Sequence, residues 1–142
     1  MGIQEIEQQI IDEFSNFDDW MDKYNYIIEM GKTCPTIEDK NKTENNLIKG
    51  CQSRVWLSAE YVDGQILYKA DSDAVITKGI ASLLIRSLSG QSPDDILNAD
   101  LGFLDKIGLK EHLSPTRSNG LTAMVKQMKL YALAFKTKFA AI

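Results

Sequence analysis

An α+β fold, with helices packed on a small antiparallel sheet, is predicted by three observations. Apolar residues recur at helical spacing over residues 3–30, alternate with polar ones over 54–70, and return to helical spacing from 74 onward. The order helix–helix, sheet, helices implies an α+β domain with helices packed on the sheet. No internal repeat or low-complexity tract interrupts the pattern, so the 142 residues are expected to form a single domain, 1–142, with a substantial core.

Taken in order, Ile3, Ile6, Ile10 and Phe14 give a first helix over 3–16. A second is expected from Asp18, as N-cap, to about Met30, with Trp20, Tyr24, Ile27 and Ile28 as a core-packing stripe and Gly31 as the C′ stop. The two would form an antiparallel hairpin. From Lys32 to Asn46 the periodicity dissolves around Pro35, asparagines and charges, which reads as a long surface loop. Residues 46–49 form a candidate short strand.

The alternating run 54–62 is a half-buried strand, and Asp63-Gly64 followed by 65–70 is a strong hairpin signal. Asp71-Ser72-Asp73 offers capping oxygens for a helix over 74–89, whose apolar positions Val75, Ile76, Ile80, Leu83, Leu84 and Leu88 cover more than one stripe. That helix should be the most buried one, lying across the sheet. Ser92-Pro93-Asp94-Asp95 is a second helix start, with cap, proline at N1 and acids in the first turn. A short helix through Ile96 and Leu97 follows, then one through Leu101, Phe103, Leu104 and Ile107. A connector over 108–114 holds His112, and the last helix starts between Pro115 and Leu121.

Composition narrows the function. A net charge of −4, without clustered Lys and Arg among aromatics, argues against nucleic acid as a partner. No apolar run approaches the roughly 20 residues that span a bilayer, and Met1-Gly2-Ile3-Gln4-Glu5 does not start a secretory signal. A cytoplasmic location is expected, where thiols stay reduced. Two cysteines and one histidine are too few and too oddly spaced for a zinc or iron–sulfur site built by one chain, so no metal site is expected.

The chemistry centres on Gly50-Cys51-Gln52-Ser53-Arg54-Val55-Trp56, where irregular chain gives way to the first strand. Gly50 permits a tight backbone path, so the Cys51 thiol can be presented to a partner and withdrawn. A nucleophilic cysteine must be accessible and ionised, and an unassisted thiol with a pKa of about 8.5 is only a few per cent thiolate at neutral pH. Lys49 and Arg54 flank Cys51 with positive charge, while Gln52 and Ser53 add polar groups that can bond a sulfur anion. The plain alternative is a small buried residue, the common fate of free cysteine.

Other candidates read as structural. His112 cannot be placed near Cys51 and reads as a surface or capping residue; Cys34, before Pro35, reads as incidental, with a relay or disulfide role as its alternative. Asp71 and Asp73 suit helix capping better than metal binding. Arg117 with Ser118-Asn119-Gly120 reads as a polar helix start that could also hold an anion. No phosphate loop and no Gly-x-Ser-x-Gly elbow occurs. These readings leave a thiol-based carrier or transferase and a plain protein-binding module.

Four segments resemble the SufE-type sulfur acceptors that work with cysteine desulfurases: 24–31, 50–56, 71–79 and 112–121. Their order and spacing agree from about Asp19 to the C-terminus. The resemblance implies an α+β fold shared with IscU-like iron–sulfur scaffolds, without their metal-binding cysteines. It implies that Cys51 accepts sulfur from a persulfide on a PLP-dependent, SufS-like cysteine desulfurase and passes it to a SufBCD-like cluster-assembly complex. On this reading the chain is a sulfur-transfer accessory protein and not a free-standing enzyme. The resemblance makes Gly50, Gln52, Ser53, Asp73 and Arg117 supporting residues, and Cys34 falls outside the family pattern. The alternative is an adaptor on the same fold that recruits assembly partners without carrying sulfur.

Overall fold

The structure is a computed structural model that describes residues 2–48 and 53–139, without the side chain of Lys110. Two antiparallel strands and seven helices are found among these residues, so the α+β class expected from the sequence is the one observed. Strands β1 (Val55–Val62) and β2 (Gln65–Ser72) pair in register from Val55↔Ser72 to Val62↔Gln65. Asp63 and Gly64 join them with φ of 52° and 81°, the pair of positive values that a type I′ turn requires. Val55 and Leu57 on β1, with Ile66, Tyr68 and Ala70 on β2, supply the buried face.

Helix α3 (Val75–Leu88) lies against β2, and all of its residues but Val75, Lys78 and Arg86 are buried. Val75, an expected core position, is instead 66% exposed because it opens the helix beyond the edge of the core. Helix α1 (Ile3–Phe14) packs on α3, where Glu13 receives both Arg86 guanidinium nitrogens and the Tyr26 hydroxyl. The Arg86 bonds hold the Glu13 carboxyl below its usual range, against the upward push of burial.

Helix α2 (Trp20–Gly31) begins one residue later than expected. Asp19, not Asp18, is the N-cap and accepts from the Asp22 amide. Nor is Gly31 a C′ stop: the helix runs through it to a cap at Lys32 in right-handed geometry. Gly31 serves a close helix crossing. A Cβ on Gly31 would lie 2.9 Å from the Gly79 nitrogen, and one on Gly79 would lie 2.2 Å from the Ile27 carbonyl oxygen. The tight helix pair is therefore α2 with α3, while α1 and α2 meet through the rings of Phe14, Phe17 and Tyr26.

The segment after α2 is less open than a surface loop. Cys34, Ile37 and Ile48 are buried, the Ala70 amide donates to the Pro35 carbonyl, and Lys42 bonds Asp71 at 2.7 Å while lying over the Trp56 ring. Two 3-10 turns, Asp39–Asn41 and Glu44–Asn46, occupy it. The expected strand over 46–49 is reduced, within the described residues, to one bridge, Leu47↔Trp56.

Helix α4 (Pro93–Asn98) carries its predicted cap, the Ser92 hydroxyl accepting from the Asp95 amide. Helices α5 (Phe103–Lys106) and α6 (Leu109–His112) follow, so part of the expected connector around His112 is helical. Helix α7 (Pro115–Phe139) closes the core with Leu121, Met124, Met128 and Ala132. It is tied to the sheet by the Tyr68 hydroxyl, which donates to the Met128 carbonyl at 2.7 Å, and at its far end by Tyr61 stacked on Phe135 and Phe139. No helix among the described residues is long and apolar enough to cross a membrane.

Candidate functional site

Lys49, Gly50, Cys51 and Gln52 lie outside the described residues, but the chain on either side of them is firmly anchored. The Ile48 amide donates to the Val55 carbonyl at 2.8 Å, beside the Leu47↔Trp56 bridge. The segment between Ile48 and Val55 therefore starts and ends at one point of the fold. Its second end is secured by three bonds. The Arg54 amide donates to Asp73 Oδ1 at 3.0 Å, the Arg54 carbonyl accepts from the Ser72 hydroxyl at 2.8 Å, and the same carbonyl accepts from the Asp73 amide at 3.2 Å.

These contacts correct the capping role expected of Asp71 and Asp73. Strand β2 runs on through Ser72, so α3 starts with Ala74 as its cap residue and no side-chain cap. Asp73 is used to pin Arg54, and Asp71 takes Lys42 and Lys78. Burial pushes the Asp71 carboxyl upward, yet the Lys42 bond and the Ser72 amide outweigh it and hold the group below its usual range. Replacing Asp73 by Ala removes the acceptor of the Arg54 amide. Exchange of that amide, read by hydrogen–deuterium exchange, is expected to quicken about tenfold or more, with exchange in α3 unchanged.

Ser53 borders a pocket of about 380 Å³ whose other walls are Thr77 and Ile80 of α3 and Ser114, Thr116, Arg117, Gly120 and Met124 at the start of α7. Its lining is hydroxyl-rich. Thr77 is only 7% exposed. The pocket adjoins the first turn of a 25-residue helix, where backbone amides favour negative charge. The Ser114 hydroxyl accepts from the Arg117 amide and caps that turn.

Of the residues expected from the sequence to serve the site, Ser53 and Arg117 meet at this pocket, and Asp73 is joined to it through Arg54. Arg117 donates to the Tyr24 hydroxyl oxygen at 3.2 Å. Thr77, Ser114, Thr116 and Tyr24 are not singled out as site residues by the sequence. A signal for Tyr24 exists in the aromatic stripe of α2, but core packing explains such a stripe equally well. His112 stands apart from the pocket lining; its exposed ring stacks on Trp20 with centroids 4.4 Å apart. Cys34 is a free thiol under the sheet hairpin, 5% exposed, with Sγ 3.8 Å from the Ala70 carbonyl oxygen. No group of three or more His, Cys, Asp or Glu among the described residues is placed to hold a metal ion.

The described residues form an α+β fold in which Ser53 and Arg117 meet at a pocket lined with hydroxyls. The SufE family profile, described as a Fe-S metabolism associated domain, matches residues 8–132. An uncharacterized SufE-like protein of Rhizobium meliloti is 38% identical over 126 residues, covering 85% of this chain and 90% of the relative. Another, of Rhizobium etli, is 40% identical over 126 residues, covering 85% of each. The solution structure of a hypothetical protein from Thermus thermophilus shares the fold with a TM-score of 0.77 at 22% identity, covering 93% of this chain and 96% of that one. The chain belongs to the SufE family. Membership assigns it to iron–sulfur metabolism, with a sulfur-related role in cluster assembly.

Proposed function

We propose that this chain is a single-domain sulfur carrier that accepts sulfur at Cys51 from the persulfide of a PLP-dependent, SufS-like cysteine desulfurase. In doing so it stimulates the desulfurase, and it then delivers the sulfur to a SufBCD-like assembly complex in the cytoplasm. The observation that carries this reading is the position of the pocket. Ser53, two residues after Cys51 in the sequence, borders that pocket together with Arg117.

The chemistry is an exchange between sulfurs. The Cys51 thiolate attacks the outer sulfur of the donor persulfide, a Cys51 S–S bond forms, the donor S–S bond breaks, and the donor cysteine leaves as a thiolate. The sulfane sulfur keeps its oxidation state, so no oxidant, metal or cofactor is needed in this chain. The product is an anion at neutral pH, prone to capture by small thiols and oxidants. Arg117, the hydroxyls of Ser53, Thr77, Ser114 and Thr116, and the α7 amides are the groups that stabilise such an anion and shelter it between encounters. Gly50 and Gln52 serve the approach of the thiol, and Asp73 keeps the base of the segment closed.

The test is intact mass. After incubation with desulfurase, PLP and cysteine, the protein is expected to gain about 32 Da per sulfur atom, mapped to Cys51. A protein that accelerates the desulfurase without gaining mass would be an adaptor, and this reading would be lost.

A further inference from the structure

Trp20 and Tyr24 lie one turn apart on α2, and i, i+4 residues share a helix face. Both reach the corner between α6 and α7: Trp20 stacks on His112 with an interplanar angle of 13°, and Tyr24 accepts from Arg117. The partners differ greatly in freedom without these contacts. Arg117 is an exposed side chain with many rotamers, and ordering such a chain costs free energy that a contact must offset.

The choice of partner matters as much as the contact. Arg86, elsewhere in the fold, is neutralised by Glu13, whereas Arg117 meets no carboxylate among the described residues. A phenol oxygen orients a guanidinium while leaving its positive charge available to another anion; a carboxylate would orient it and cancel the charge. We propose that Tyr24 is a positioning residue for sulfur transfer, holding the Arg117 guanidinium at the pocket that Ser53 borders, with the Trp20–His112 stack bracing the same corner. The inference rests on the carrier reading above and adds to it a residue outside the cysteine segment.

The role is read by a double-mutant cycle on Tyr24→Phe, which removes one oxygen and keeps the ring, and Arg117→Ala. The first readout is the rate at which Cys51 gains sulfur from the desulfurase; the second is the pH dependence of Cys51 alkylation, which needs no partner. Tyr24→Phe is expected to slow sulfur gain about threefold to tenfold, as fits loss of a solvent-accessible bond to a charged group, and to move the alkylation midpoint to higher pH. In the Arg117→Ala background the same change is expected to do nothing further, because the two residues act as one unit. Parent-like behaviour of Tyr24→Phe, or penalties that multiply in the double variant, would overturn the proposal. If the parent protein gains no sulfur at all, the carrier reading fails instead, and the alkylation profile still decides whether Tyr24 acts through Arg117.

Discussion

Gly79→Ala is expected to cost this fold about 3–5 kcal/mol, a large part of the roughly 5–15 kcal/mol by which a domain of ordinary stability is folded. Two effects oppose each other at this position. Alanine is the better helix former and would stabilise an isolated helix by up to about 1 kcal/mol. Against that, the added methyl carbon would sit 2.2 Å from the Ile27 carbonyl oxygen and 2.8 Å from its carbonyl carbon. Those are backbone atoms, so no rotamer change relieves the clash. The helices must part, and the packing that buries Ile27 and Ile80 at this crossing loosens with them. The steric penalty therefore wins. Thermal unfolding is expected to fall by about 10 °C or more for a chain of this size. Gly102→Ala is the control: its methyl would meet nothing nearer than Asp100 Oδ1 at 3.6 Å, and its φ is −59°. Equal melting temperatures for Gly79→Ala and the parent would mean that α2 and α3 are not in this close contact.

The same glycines mark where sequence reading stops. Asp63-Gly64 and Ser92-Pro93 are legible because a turn or a cap is settled by a few adjacent residues: positive φ at two positions, one hydroxyl and one amide. Gly31 reads as a helix end because glycine favours that position, but its actual partner is Gly79, 48 positions further on, and local pattern says nothing about it. Asp71 and Asp73 mislead for a related reason. Their oxygens can satisfy a helix start or a neighbouring strand equally well, and β2 runs two residues longer than its alternation suggests. The docked segment 32–48 has no period because its anchors, Cys34, Ile37 and Ile48, are fixed one at a time by the sheet. At the site, Ser53 and Arg117 are legible through the family resemblance, while Tyr24 and Thr77 take their meaning only from what the fold sets opposite them.

Cys51→Ser is expected to abolish sulfur gain and desulfurase stimulation together, while Cys34→Ala keeps both. Sulfur exchange requires a thiolate within reach of a donor, and Cys34 meets neither condition. Its thiol is 5% exposed, and burial raises its pKa from 9.0 to about 11. At neutral pH only about one such thiol in ten thousand is ionised, against a few per cent for an unassisted exposed one, a handicap of about a hundredfold or more before access is counted. Alkylation of the native protein at about pH 8 should accordingly label Cys51 alone, with Cys34 reacting only after unfolding. The raised pKa also carries a sign that can be checked. The folded state holds the Cys34 proton more tightly than the unfolded chain, so that contribution to stability is present below about pH 9 and is lost as pH rises toward 11. Cys34→Ala should remove this alkaline loss and flatten stability over the same window. A Cys51→Ser protein that still stimulates the desulfurase would break the link between the two effects, since the thiol would then be dispensable and partner contact alone would suffice. A Cys34→Ala protein that no longer gains sulfur would show instead that the buried thiol becomes exposed during transfer, which its packing against Ala70 opposes.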